Sequence, residues 1–289
     1  MKQYDSLTDC KFIDVHYHAN PDQYKRRWNA IEAGKIYQSL KGVVVLKSHL
    51  GPTSVQATLA QSMGLPVLPS LVLNAIAGGI DYRVIQQALS QYQSSLMANM
   101  IVHFPTITGR SFQSKLSREV AHPYLKNACE TSETLFNSDK KLRKEVIDIL
   151  KMAHDYPIVL STGHASQEEI FRLIEACAHH KVPALLLNQP AHPLTGLNAA
   201  ALSDLVQHEF VWFEQTALTY LLGHQDKEDF SKVLTSIPRV IYSSDLGQTT
   251  QMDIPQWFDF SKNTMAELGL SAQRQDELLR INPKKLLGL

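Results

Sequence analysis

Neither sign of charge is in excess in this chain: 28 Lys and Arg face 28 Asp and Glu across 289 residues. That balance gives no electrostatic basis for a nucleic-acid partner or an anionic membrane surface. Cysteine is scarce: Cys10, Cys129 and Cys177 stand apart, with no CxxC pair among them. A disulfide framework and a thiolate metal site are excluded, and a reducing compartment is expected. No apolar run approaches the ~18 residues of a membrane span. The opening MKQYDSLTDCKF lacks the apolar core of a signal peptide. Glycine is missing from HYHANPDQYKRR, which follows the first apolar run, so the Gly-rich turn of a dinucleotide site is absent. No serine lies in a GxSxG setting. Apolar residues are not lacking; at 44 % hydrophobic the chain can bury a large core. A cytoplasmic globular protein without nucleic-acid or membrane partners is the expectation, with a homo-oligomer left open.

What the sequence does have is alternation. Short apolar, β-branched runs precede longer stretches of helical period. The runs are Phe12–Val15, Gly42–Lys47, Val67–Leu73, Met100–Phe104, Pro157–Thr162, Pro183–Asn188, Phe210–Glu214 and Arg239–Ser244. Several are apolar without alternation, as parallel strands buried on both faces require. Helical periods cover Thr53–Met63, Tyr82–Ser95, Lys140–His154, Asn198–His208 and Lys227–Ser236. Ser166-Gln-Glu-Glu169 is a capping-box pattern, and Gln256–Leu289 is a helical region broken by Gly269 and Pro283. The stretch from Phe104 to Lys140 has no clear period. These features predict an α/β fold: one (β/α)8 TIM barrel over residues 1–289 with a long loop after strand 4. Such a loop is a candidate lid.

Histidine is plentiful, twelve in all. The spacing puts His16 and His18 after strand one, Lys47 at the end of strand two with His49 beyond, and His103 near the end of strand four. His164 follows strand five, His192 follows strand six, Glu214 ends strand seven and Asp245 follows strand eight. In a barrel these ends meet on one face, where active sites sit. Residues two apart on an extended strand point to the same side, so the imidazoles of His16 and His18 can share one ion. Most other histidines read as structural: His154, His179, His180 and His208 fall near predicted helix ends. His122 and His224 belong to loops. Cys177 sits in an apolar helix stripe, and no argument makes Cys10 or Cys129 a nucleophile.

The order of these residues resembles the amidohydrolase superfamily of metal-dependent TIM-barrel hydrolases. DVHYH (Asp14–His18), STGHAS (Ser161–Ser166), NQPAHP (Asn188–Pro193) and SSDLG (Ser244–Gly247) carry the resemblance, and INPKKLLGL (Ile281–Leu289) is similar to the last segment of many members. LKSHLGPT and the PDQYKRR stretch are similar to an uncharacterised branch, which supplies no substrate. The resemblance implies a divalent transition metal, zinc first and Mn, Fe or Ni next, as one or two ions. It implies His16, His18, His164, His192 and Asp245 as ligands, with Lys47 or Glu214 as an additional one. The bridging carboxylated lysine of many members has no counterpart on strand four, which offers His103. Lys47 and Glu214 also have plainer roles: binding an anion, pairing with an acid, or orienting a ligand histidine.

The implied activity is hydrolysis of a small-molecule amide, lactone, ester or phosphoester by metal-activated water. Asp245 is the proton acceptor and His192 a ligand or an oxyanion donor. Arg26, Arg27, His49, His103 and Arg110 are candidate substrate-binding residues. Metal-dependent non-oxidative decarboxylation or another lyase reaction fits the same frame, as does a non-catalytic metal-binding barrel. A Schiff-base role for Lys47 leaves the histidines unexplained.

Overall fold

A computed structural model describes residues 9–94, 98–125 and 131–289. Ser95, the last residue of one predicted helix, and Cys129 lie outside them. The chain is an α/β protein, and its described residues form nine parallel strands in two sheets. The first sheet contains β1 (Phe12–His18), β2 (Gly42–Lys47) and β3 (Val67–Leu68), in that order. The second runs β4 (Ser70–Val72), β5 (Met100–His103), β6 (Ile158–Ser161), β7 (Leu185–Leu187), β8 (Val211–Thr216) and β9 (Val240–Ser243). Every neighbouring pair is parallel.

Three details of the strands differ from the sequence-based expectation. The run Val67–Leu73 is two strands because Pro69 stands between them, and proline cannot donate to the ladder. β1 continues through His18, so His16 and His18 lie within the strand rather than after it. β8 continues to Thr216, which places Glu214 inside the strand and not at its end.

The predicted helices form, most with trimmed ends, and Ala30–Ser39 and Ala217–Leu221 are helices beyond those named from the sequence. In chain order the helices are α1 (Ala30–Ser39), α2 (Ser54–Ser62), α3 (Tyr82–Gln91), α4 (Lys144–Met152), α5 (Gln167–His179), α6 (Ala199–Leu205), α7 (Ala217–Leu221), α8 (Lys227–Ser236), α9 (Ile254–Glu267), α10 (Ala272–Asp276) and α11 (Asn282–Leu287). The capping box at Ser166 and Glu169 forms, and Asn29 with Glu32 makes another on α1. Each satisfies backbone N–H groups that the first turn leaves free. Pro283 does not break the last helix. It sits in the first turn of α11, where its missing N–H costs nothing, after a π-turn at Glu277–Ile281.

The core is divided between two apolar clusters. One packs the helices on the outer strand faces. The other takes alternate residues of both sheets, among them Ile13, Val45, Leu68, Ile101, Val159, Leu186 and Ile241, together with Leu286 and Leu287 of α11. A parallel bridge joins Tyr17 of β1 to Leu246 just past β9, so the outer strands of the two sheets also touch. The N-terminal strand ends are covered by the apolar side chains of α11, while the C-terminal ends carry His18, Lys47 and His103. Among the described residues no helix is long and apolar enough to cross a membrane.

Candidate metal centre

The pairing of β1 with β2 slips between Asp14 and Tyr17. The bulge falls at Val15 and His16, and bulges re-aim side chains. The His16 and His18 rings end with centroids 5.2 Å apart. Each ring is held from behind by a buried carboxylate. His16 Nδ1 lies 2.9 Å from Glu214 Oε1, and His18 Nδ1 lies 3.1 Å from Asp22 Oδ2. A carboxylate only accepts, so both Nδ1 atoms donate, and in the neutral rings both Nε2 atoms present a lone pair.

These carboxylates are ionised because their partners outweigh burial. Burial alone raises Glu214, but His16, Lys47 and the Ser243 hydroxyl hold its carboxyl below the usual range. Burial also works against Asp22, and Arg26, His49 and His18 hold it well below. Arg26 donates from Nε to Asp22 Oδ2 at 2.7 Å, while Asp22 Oδ1 accepts from the backbone N–H groups of Gln23 and His49.

Asp245 completes the group from the other side. Its backbone is left-handed, with φ of 53°, a costly conformation for a residue with a side chain. Its N–H donates to His16 O at 2.8 Å, and Ser244 Oγ donates to the same carbonyl at 3.0 Å. The fully buried Asp14 accepts from the backbone N–H groups of Ser244 and His16 and from the Tyr37 hydroxyl, tying β1 to this turn. Burial, partly offset by those donors, pushes Asp14 up to about 6. Gly247 then passes so close that a Cβ would sit 1.9 Å from His18 O, and its φ is 119°.

The result is a triangle of three acceptors. His16 Nε2 lies 3.3 Å from His18 Nε2 and 3.1 Å from Asp245 Oδ1, and His18 Nε2 lies 3.3 Å from the same oxygen. These atoms form a group able to hold a metal ion. A second grouping, His18 with Asp22 and His49, has the same residue types. Its carboxylate is already saturated by Arg26 and backbone donors, so it works as a support for His18. The pKa directions fit the first group. Burial and Lys47 oppose charge on His16, yet Asp245 and Glu214 outweigh them and raise it. Burial and Arg26 lower His18. Asp245, despite burial, is held well below the carboxylate range by His16 and His18.

The triangle opens into a cavity of about 360 Å³. Lys47, His49, His164 and His192 line it, as the sequence pattern expects of residues at strand ends, and Arg26 and Arg110 reach it from loops. Lys47 is buried and donates from Nζ to Asn188 Oδ1 at 2.8 Å, and burial pushes it down to about 8. His164 and His192 lie outside the triangle as a parallel stacked pair with centroids 4.7 Å apart. His192 Nδ1 accepts from the Leu194 N–H at 3.2 Å, so the proton of the neutral ring sits on Nε2. Burial pushes His192 down to about 4.

Arg27 and His103 are not among the lining residues. The Arg27 guanidinium donates to the carbonyls of Thr249 and Gln251. His103 Nδ1 lies 2.8 Å from Ser161 Oγ, and among the described residues its buried Nε2 has no hydrogen-bond partner. Glu214 orients His16 from outside the triangle. Asp22, Gln189, Phe112 and Arg118 belong to the site without having stood out in the sequence. Gln189, at φ 45°, donates from Nε2 to Asp245 Oδ2. Asp22 had a local signal, four residues from both His18 and Arg26; the others depend on loop paths.

No curated protein matches the sequence. The family model described as "Family of unknown function (DUF6282)" matches residues 11–214, a span that holds His16, His18, Asp22, Lys47, His164, His192 and Glu214 and stops short of Asp245. The chain therefore belongs to the DUF6282 family.

Proposed function

We propose that this chain is a metal-dependent hydrolase of the amidohydrolase type, with its two sheets closed into one (β/α)8 barrel around the inner apolar cluster. The Tyr17–Leu246 bridge and the draw of that cluster on both sheets support closure. One observation carries the metal assignment. Three lone-pair atoms converge within 3.3 Å of one another, and both imidazole protons are committed elsewhere. Such a group repels itself unless a cation sits among it, a metal ion or the proton that Asp245 and Glu214 favour on His16. Two imidazole nitrogens and a carboxylate oxygen suit a divalent transition metal, zinc first. Glu214 and Asp22 behind the histidines are the orienting carboxylates such ligands require. A single ion is the reading, because Lys47 Nζ is engaged by Asn188.

A metal held by His16, His18 and Asp245 would supply a water that ionises near neutral pH and would polarise a substrate oxygen. Asp245 takes the proton of the attacking water on Oδ2, where Gln189 Nε2 keeps the carboxylate aligned, and returns it to the leaving group. His192 Nε2–H and Lys47 Nζ face the cavity as donors to a developing oxyanion. The substrate is a small amide, lactone, ester or phosphoester. Metal-dependent decarboxylation is the second reading, favoured by one ligand triangle in a cavity lined by several arginines.

Metal analysis tests the assignment. Chelator-treated protein titrated with zinc takes up one ion per chain, and the His16→Ala, His18→Ala double variant takes up none. A folded wild-type chain that binds no zinc, manganese, iron or nickel overturns the reading. Screening the loaded protein for hydrolysis and for released carbon dioxide separates the two chemistries.

A further inference from the structure

The cations around the cavity do not all have partners. Arg26 is cancelled by Asp22, with Nη2 at 2.6 Å from its carboxylate. Arg110 pairs with Glu169 at 3.4 Å and also donates to the His164 carbonyl. A dication in the triangle is cancelled by Asp245 and Glu214. Lys47 and Arg118 are left over. Lys47 lies deep beside the triangle, bonded to a neutral amide. Arg118 lies at the mouth, lining both the cavity and the small apolar side pocket of Phe112, Leu218 and Leu222. Among the described residues Arg118 has no carboxylate partner. Its neighbour Glu119 is taken by Lys25.

Arg118 is exposed but held. Its guanidinium lies 5.1 Å from the centre of the Tyr24 ring, and Arg26 lies 5.9 Å from the same ring. Antiparallel backbone bonds follow it in the chain, around the Tyr24–Val120 bridge: Lys25 N–H donates to Glu119 O and Ala121 N–H to Gln23 O, both at 2.9 Å. The long loop after β5 is thus pinned to the loop after β1 where Arg118 leaves the chain. A guanidinium stacked on an aromatic ring keeps its donor edge free and fixes its plane. Arg118 acts on the site at a distance as well, since its charge contributes to keeping His192 neutral.

We propose that the substrate is a small organic anion whose oxyanion group, carboxylate or phosphate, is bound by Arg118 at the cavity mouth while its reacting end sits at the His16–His18–Asp245 triangle. This rests on the metal-centre reading and narrows its substrate class. Lys47 and Arg118 together leave the loaded cavity positive, which selects anions over neutral or cationic molecules. The forked donor edge of arginine pairs two-point with a carboxylate or phosphate, and the small side pocket beside it admits at most a short apolar branch.

The test is binding, read by calorimetry on the zinc-loaded full chain. Acetate offers one carboxylate; malonate, succinate and glutarate offer two at increasing spacing, and phosphonoacetate and 3-phosphonopropionate replace one by a phosphonate. At least one two-headed anion binds about tenfold or more tighter than acetate, as one added charge-assisted pair gives. Arg118→Gln loses that preference while zinc stoichiometry and melting temperature stay unchanged. Gain by the dicarboxylates assigns a carboxylate to Arg118, and gain by the phosphonates alone assigns a phosphate. A wild-type protein that binds no two-headed anion better than acetate, or an Arg118→Gln protein that keeps the preference, overturns this proposal and leaves the metal centre standing. Failure to take up zinc removes the metal centre, and this proposal with it.

Discussion

Asp245 shows how much a single position carries at this site. It closes the acceptor triangle with Oδ1, accepts from Gln189 on Oδ2, and does so from a left-handed backbone. Asparagine is among the few residues that adopt that backbone readily, so Asp245→Asn keeps the turn while losing the charge. The expected outcome is a melting temperature near wild type with turnover reduced by about 10²-fold or more, measured on whichever substrate class the hydrolysis screen returns. Full turnover in the variant would remove Asp245 from proton transfer. His16, His18 and Asp245 were legible in the sequence because a strand's period of two and strand-end placement are local properties. Arg118 was not. Its place at the cavity mouth depends on the pairing of Glu119 and Ala121 with Lys25 and Gln23, nearly a hundred residues away in sequence.

At the scale of elements, the junction of β1 with the turn after β9 fixes the geometry of the site. The His16 carbonyl accepts from Asp245 and Ser244, and Gly247 lies against His18 O with no room for a side chain. Gly247→Ala therefore must push the two segments apart, and its φ of 119° adds strain for any residue with a Cβ. A loss of roughly 1–3 kcal/mol in denaturant unfolding is expected, with weaker zinc binding because Asp245 moves with the turn. A Gly247→Ala protein of wild-type stability and zinc affinity would show that the junction yields freely. The strand runs, the Ser166 capping box and the amphipathic helices were legible because each follows from local period and chemistry. The bulge between Asp14 and Tyr17 was not, since it arises from the pairing of β1 with β2. Pro69, which splits the third run, was visible in the sequence, and its missing N–H is the reason the run becomes two strands.

Across the whole molecule, zero net charge conceals a strongly uneven interior. The titratable groups gathered at the strand ends are buried in states that differ from those they hold in an unfolded chain, which makes stability depend on pH. Burial, reinforced by neighbouring cations, holds His49, His103 and His164 well below the ordinary histidine value, lowers His18, and takes His192 down to about 4. Unfolded, each titrates near ~6.5. Between these values the unfolded chain binds more protons than the native one, so native stability falls as pH falls. Asp14, pushed up to about 6, and His16, raised by Asp245 and Glu214, act in the opposite direction. Five lowered histidines against these two leave the first effect dominant. Chelator-treated protein is expected to lose stability steadily as pH drops from about 6.5 toward about 4, by about 1.4 kcal/mol per pH unit for each net proton. Urea midpoints measured at intervals across that range check the slope. His192→Gln removes one titrating group and makes the slope shallower by about one proton's share. A profile that is flat, or that rises toward acid, would mean that these histidines are already solvated and protonated in the native protein, and the enclosed cavity at the strand ends would go with them.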